Sequence, residues 1–125
     1  MPPRVLIIEP SIRLREKYKR ALEGRGLAVQ ASASAMEALE ESDEFQPDFI
    51  IADYQMGDEP AFQAMGELRR GNPGVVVLLT STAFTTRQTL GSITLLPKPS
   101  EPRALLDLLR TAVTADSLWL VRRAS

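Results

Sequence analysis

The sequence predicts an α/β fold, a doubly wound sheet of five parallel strands with helices on both faces. Three observations carry this. The runs Val5-Leu6-Ile7-Ile8, Phe49-Ile50-Ile51-Ala52 and Val75 to Leu79 are continuously apolar and β-branched, the pattern of strands buried on both faces. The segments between the strands change to a helical period, with apolar residues on one face and charged residues on the other. Strand and helix signals then alternate along most of the chain, which is the signature of parallel β-α-β units.

The first strand is stopped by Glu9-Pro10-Ser11, since proline cannot serve a central ladder. Ser11 is a candidate N-cap for a helix with Ile12, Tyr18, Ala21 and Leu22 mostly on its apolar face, ending near Gly24 and Gly26. Leu27 to Ala31 is a short strand nearer the edge, interrupted by Gln30. Ser34, three residues before Glu37, opens a second helix in capping-box form, running to Glu41 with Ala35, Ala38 and Leu39 toward the sheet. The Phe49 strand ends at Asp53, a costly place for a carboxylate unless something nearby uses it. Gly57-Asp58-Glu59-Pro60 opens a third helix with Phe62, Met65 and Leu68 buried, stopped by Gly71-Asn72-Pro73-Gly74. Asp58 and Glu59 are expected to cap that helix, with Pro60 in its first turn, rather than to serve as metal carboxylates. After Val75 to Leu79, the Thr-rich segment to Gly91 leaves room for only a short fourth helix. Ile93 to Leu96 is the fifth strand, closed by Pro97-Lys98-Pro99. A last helix runs from Ser100, its expected N-cap, to about Thr114, with Glu101 and Pro102 in the first turn and Leu105, Leu106, Leu108 and Leu109 buried.

Composition narrows the chemistry. The 125 residues suit one domain, 44% hydrophobic and 25% charged, with a net charge of −1 that gives no general case for nucleic acid or an anionic membrane. No apolar stretch has membrane-spanning length and no signal-peptide core follows Met1, so a cytoplasmic domain is expected. There is no Cys and no His, which excludes thiolate chemistry, imidazole zinc sites and His-based triads. The first strand–helix turn has neither GxGxxG nor GxxxxGK[ST], against dinucleotide and P-loop chemistry. What remains is one functional group per strand end: Glu9, Asp53, Thr80 and Lys98. In a parallel sheet these ends share one edge, where a carboxylate can attack phosphorus while a hydroxyl and an ammonium bind phosphoryl oxygens. A small Asp-nucleophile phosphatase fits poorly, because Asp53-Tyr54-Gln55 lacks the second Asp of a DxD motif.

The segments VLIIEPSIRLR, PDFIIADYQM, VVVLLTS and LPKPS, in this order, resemble the receiver domain of two-component response regulators over about residues 4 to 114. The resemblance implies a flavodoxin-like fold with strand order 2-1-3-4-5, and a receiver domain over residues 1–114. Residues 115–125 would then be a tail, or a linker to an absent effector, with Trp119 in an apolar stretch. It implies that Asp53 is the phosphoacceptor, taking a phosphoryl group from a sensor histidine kinase or phosphotransfer protein. Thr80 would be the switch hydroxyl, Lys98 the phosphoryl's ion-pairing partner with a cis bond to Pro99, and a downstream effector the target of the altered surface. Glu9, Asp53 and the Gln55 carbonyl would hold Mg²⁺. Such a domain is not an enzyme beyond its own phosphorylation and dephosphorylation, and a monomer or weak homodimer is expected.

The sequence also departs from the family pattern. Pro10 stands where the second acidic residue belongs, which weakens the expected Mg²⁺ site; Gly57 replaces the proline after Met56; and Leu95 replaces the switch aromatic. A degenerate receiver, working as an interaction module without phosphorylation, is therefore the second reading. The cluster Arg13, Arg15, Lys17, Lys19 and Arg20 suits either an acidic partner or a solvated helix face.

Overall fold

The computed structural model describes residues 2–53, 59–71, 75–81, 86, 88–90, 93–98 and 101–115. Six strands form one sheet: β1 (Arg4–Ile8), β2 (Ala28–Ser32), β3 (Phe49–Asp53), β4 (Val76–Ser81), β5 (Gln88–Leu90) and β6 (Ile93–Pro97). Four helices join them: α1 (Ile12–Glu23), α2 (Ala35–Phe45), α3 (Glu59–Gly71) and α4 (Pro102–Ala115). The sheet order is β2-β1-β3-β4-β6-β5. The five parallel strands thus stand in the expected order. The addition is β5, which pairs antiparallel with β6 through Leu90↔Ile93 and Gln88↔Leu95. The expected short fourth helix between β4 and β6 is not found among the described residues; part of that segment is strand instead.

Strand alternation splits the core in two. Val5, Ile7, Phe49 and Ile51 face Tyr18 and Leu22 of α1 and Leu105 and Leu109 of α4. Leu6, Ile8, Ile50 and Ala52 face Ala35 and Ala38 of α2 and Ala64 and Leu68 of α3. α1 and α4 therefore cover one face of the sheet, and α2 and α3 the other. Both cores are made where the continuous apolar runs place residues on each face in turn.

Helix ends follow local chemistry. The Ser11 hydroxyl accepts from the Leu14 N–H at 3.3 Å, so the expected cap forms. Ser34 accepts from Glu37 N–H, and Glu37 reaches back to the Ala33 N–H, closing the box one residue earlier than the standard form. α1 ends in a Schellman motif: Leu27 N–H donates to Leu22 C=O and Gly26 N–H to Glu23 C=O, with Gly26 at φ +87°.

Three expectations are corrected. Ile12, read from sequence on the apolar face of α1 with Tyr18 and Leu22, is 67% exposed while those two are buried. α4 begins at Pro102 with the Glu101 carbonyl accepting the first helical bonds, so Glu101 takes the cap position and not the first turn. Leu106 and Leu108 are only half-buried, since Leu105 and Leu109, four apart, hold the face toward the sheet. Ser100, the Lys98–Pro99 bond, Asp58 and the Trp119 tail lie outside the described residues, and the Phe62 side chain outside the described side chains.

Candidate functional site

The parallel register brings the polar strand ends to one edge of the sheet. Asp53, the last residue of β3, is paired with Thr80 of β4, and Thr80 with Leu96 of β6. One residue further, Lys98 N–H donates to the Ser81 carbonyl at 3.0 Å, extending the β4–β6 ladder and aiming Lys98 back along the edge. Its ammonium donates to Asp53 Oδ2 at 2.7 Å and lies 2.7 Å from Glu9 Oε1. The side chains of Glu9, Asp53 and Lys98 are only 3%, 9% and 13% exposed. Thr80 is buried beside them in the register.

Glu9 is fixed at every polar atom. Its N–H donates to Ser32 C=O at 3.0 Å, its carbonyl accepts from Arg15 Nη1 at 2.8 Å, and Oε2 accepts the Ser11 N–H at 2.9 Å. Pro10 has no N–H, so Ser11 is the nearest following donor available to this carboxylate. In the sequence Arg15 is one cation of a cluster that suits either an acidic partner or a solvated helix face. The signal that singles it out is its place one turn into α1, at helical distance from the strand end it ties down.

Burial opposes the Lys98 charge, but the hydrogen bonds it donates to Asp53 and Glu9, with their negative charges, outweigh it and hold the ammonium above its ordinary pKa. Two carboxylates sharing one ammonium leave a net negative pocket, able to receive a further cation. The donors present are hard oxygens, which suit Mg²⁺. Among the described residues these donors are the carboxylates of Glu9 and Asp53, and no group of three or more His, Cys, Asp or Glu side chains that could hold a metal ion is found there. Of the residues singled out from sequence, Glu9, Asp53, Thr80 and Lys98 are brought together; Gln55 lies outside the described residues. Among the described residues no helix is long and apolar enough to cross a membrane.

Comparison with known proteins agrees with this geometry. No curated protein matches the sequence closely enough to be counted as a relative. Among solved structures the chain is similar to the chemotaxis response regulator CheY4 of Vibrio cholerae, at 24% identity and TM-score 0.73, covering 89% of this chain and 98% of that one. It is similar to a CheY-like receiver domain protein from Methanospirillum hungatei, at 18% identity and TM-score 0.76, covering 94% and 98%. A third is a Burkholderia pseudomallei response regulator solved with a phosphorylated aspartic acid, a calcium ion and citrate, at 19% identity and TM-score 0.69, covering 98% and 75%. The sequence pattern of the response regulator receiver domain matches residues 5–110. With the flavodoxin-like strand order and the converged strand ends, this chain belongs to the response regulator receiver domain family.

Proposed function

We propose that the chain is a phosphoacceptor receiver, with Asp53 as the acceptor and a sensor histidine kinase or phosphotransfer protein as the donor. The observation that carries this is the Lys98 ammonium 2.7 Å from Asp53 Oδ2, on a residue whose strand neighbour is Thr80. A carboxylate oxygen of Asp53 attacks the phosphorus of a phosphohistidine. The new P–O bond forms as the P–N bond breaks, and the electron pair leaves with the imidazole. Lys98 then binds an oxygen of the acyl phosphate and Thr80 donates a hydrogen bond to another, so charge that develops on the phosphoryl group meets donors already in place. Asp53 and Glu9, with the Gln55 carbonyl, would hold Mg²⁺, which when bound screens the acceptor from the incoming anion. The Burkholderia neighbour, with its phosphorylated aspartic acid and calcium ion, supports the same chemistry here. The domain catalyses nothing beyond its own phosphorylation and dephosphorylation, acts in the cytoplasm and switches a surface read by a downstream effector.

One observation favours a second reading. Pro10 supplies no carboxylate and Glu9 Oε2 already accepts the Ser11 N–H, so the pocket offers a metal few oxygens. That is the state expected of a receiver that works as a phosphorylation-independent interaction module. Treatment with acetyl phosphate and Mg²⁺, followed by mass spectrometry, decides between them. One phosphoryl adduct on the wild type and none on Asp53→Asn is expected. No adduct on either protein favours the second reading, and an adduct that survives in Asp53→Asn removes Asp53 as the acceptor.

A further inference from the structure

Two large apolar side chains are exposed among the described residues, and they sit in opposite electrostatic settings. Ile12, 67% exposed, lines a groove between α1 and the start of α4 with Ala21 and Pro102, and the cations Arg13, Lys17 and Arg20 line the same groove. Glu16 and Glu101 also reach it, Glu101 only 3.8 Å from Lys17. Met36, 57% exposed, is on α2, which carries Glu37, Glu40, Glu41, Asp43 and Glu44 and no basic residue. α1 has five cations against Glu16 and Glu23. A chain of net charge −1 thus carries a mainly basic helix and a wholly acidic one.

We propose that these patches bind each other between copies of this chain: α2 of one copy lies in the α1–α4 groove of the next. Met36, Glu40 and Glu44 recur every four residues, so they form one stripe along α2 with the apolar residue at its end. Arg13, Lys17 and Arg20 form the matching stripe on α1, with Ile12 at its start. Ile12 against Met36 removes both exposed apolar side chains from water while the charge stripes pair, and like-charge pairing of α1 with α1 or α2 with α2 is disfavoured. The two patches are on opposite faces of the sheet, as the two cores show. The contact is therefore heterologous, and it propagates head to tail beyond a dimer unless its rotation closes a ring. The surface is independent of Asp53, so its failure and the failure of the phosphoacceptor reading are separate results.

Sedimentation velocity on the full chain, from micromolar to millimolar concentration, is the test. At low salt the mean mass should rise with concentration past that of a dimer, and high salt should return it to the monomer. Arg13→Glu with Lys17→Glu, or Glu40→Lys with Glu44→Lys, should each weaken association about tenfold with circular dichroism unchanged. Mixing the two double variants should restore it, since each then offers the patch that the other lacks. A chain that stays monomeric throughout overturns the proposal and leaves the groove to a partner of another kind. Association that stops at a dimer, survives either double variant, or is not restored by mixing also overturns it.

Discussion

Lys98 donates to Asp53 and Glu9 at the same distance, so two buried carboxylates share one ammonium. Removing that ammonium takes its positive charge away from both. Breaking a buried pair from one side typically costs about 3–5 kcal/mol, and we expect Lys98→Ala to lose stability near the low end of that range at neutral pH. The pH dependence follows from Lys98 itself. The folded-state pKa of Lys98 is raised, so its contribution is complete below the ordinary lysine value and is lost as pH rises through the folded one. Urea unfolding across the alkaline range should therefore show a steeper decline for wild type than for Lys98→Met. Pro10 bears on the same pocket, since it supplies neither a carboxylate nor an N–H. Pro10→Asp should tighten Mg²⁺ binding about tenfold, or ~1.4 kcal/mol, read by titration of backbone NMR signals. Equal affinities would mean that another oxygen, from Asp58 or Glu59, already serves. The individual site residues were legible in the sequence because each ends a continuous apolar run. The bonds that fix Glu9 were not, because Arg15 and Ser11 belong to a helix start whose orientation depends on packing between α1 and the sheet.

The helix and strand boundaries show which local signals suffice. Gly24 and Gly26 marked the end of α1, and Gly26 does adopt the left-handed conformation that an L side chain resists. A Cβ there would meet nothing within 4 Å, so the cost of Gly26→Ala is conformational rather than steric, about 1 kcal/mol. Gly71 is also free of close neighbours but lies at the end of a helix at ordinary φ, where alanine is the better residue. Gly71→Ala should be neutral or stabilising by up to about 1 kcal/mol. Urea midpoints for the pair would check the contrast; equal and opposite signs from those expected would place the αL requirement elsewhere. The β5–β6 hairpin was the element missed. Its signal was present: Gln88-Thr89-Leu90 and Ile93-Thr94-Leu95 are separated by Gly91-Ser92, a two-residue spacing with glycine first. Threonine is a poor helix former and a good strand former, and alternation of helix with strand along the rest of the chain had hidden this.

At the scale of the molecule the order of the parallel strands was legible through the family resemblance, while the sixth strand changes what activation can move. β6 lies between β4 and β5, with Leu95 paired to Leu79 on one side and Gln88 on the other. Leu95 is half-buried and aliphatic, so it has no ring to swing into space vacated if Thr80 shifts toward a phosphoryl group. Neighbouring strands on both sides also hold the backbone of β6 by ladder hydrogen bonds, and moving it would break them at both edges. The α1–α4 core packs on the opposite side of β1 and β3 from α2 and α3, and its buried leucines leave little room for a rotation of α4. We therefore expect beryllofluoride with Mg²⁺ to perturb backbone NMR signals near Asp53, Thr80 and Lys98 and to leave β5 and the body of α4 within the noise. It should also leave the sedimentation behaviour of the chain unchanged, since the patches on α1 and α2 are outside the perturbed region. Large shifts along α4 and β5, together with a dimer that forms only with beryllofluoride, would show that the switch runs through the hairpin after all. The leucine would then be transmitting, by packing, what an aromatic ring transmits by rotation.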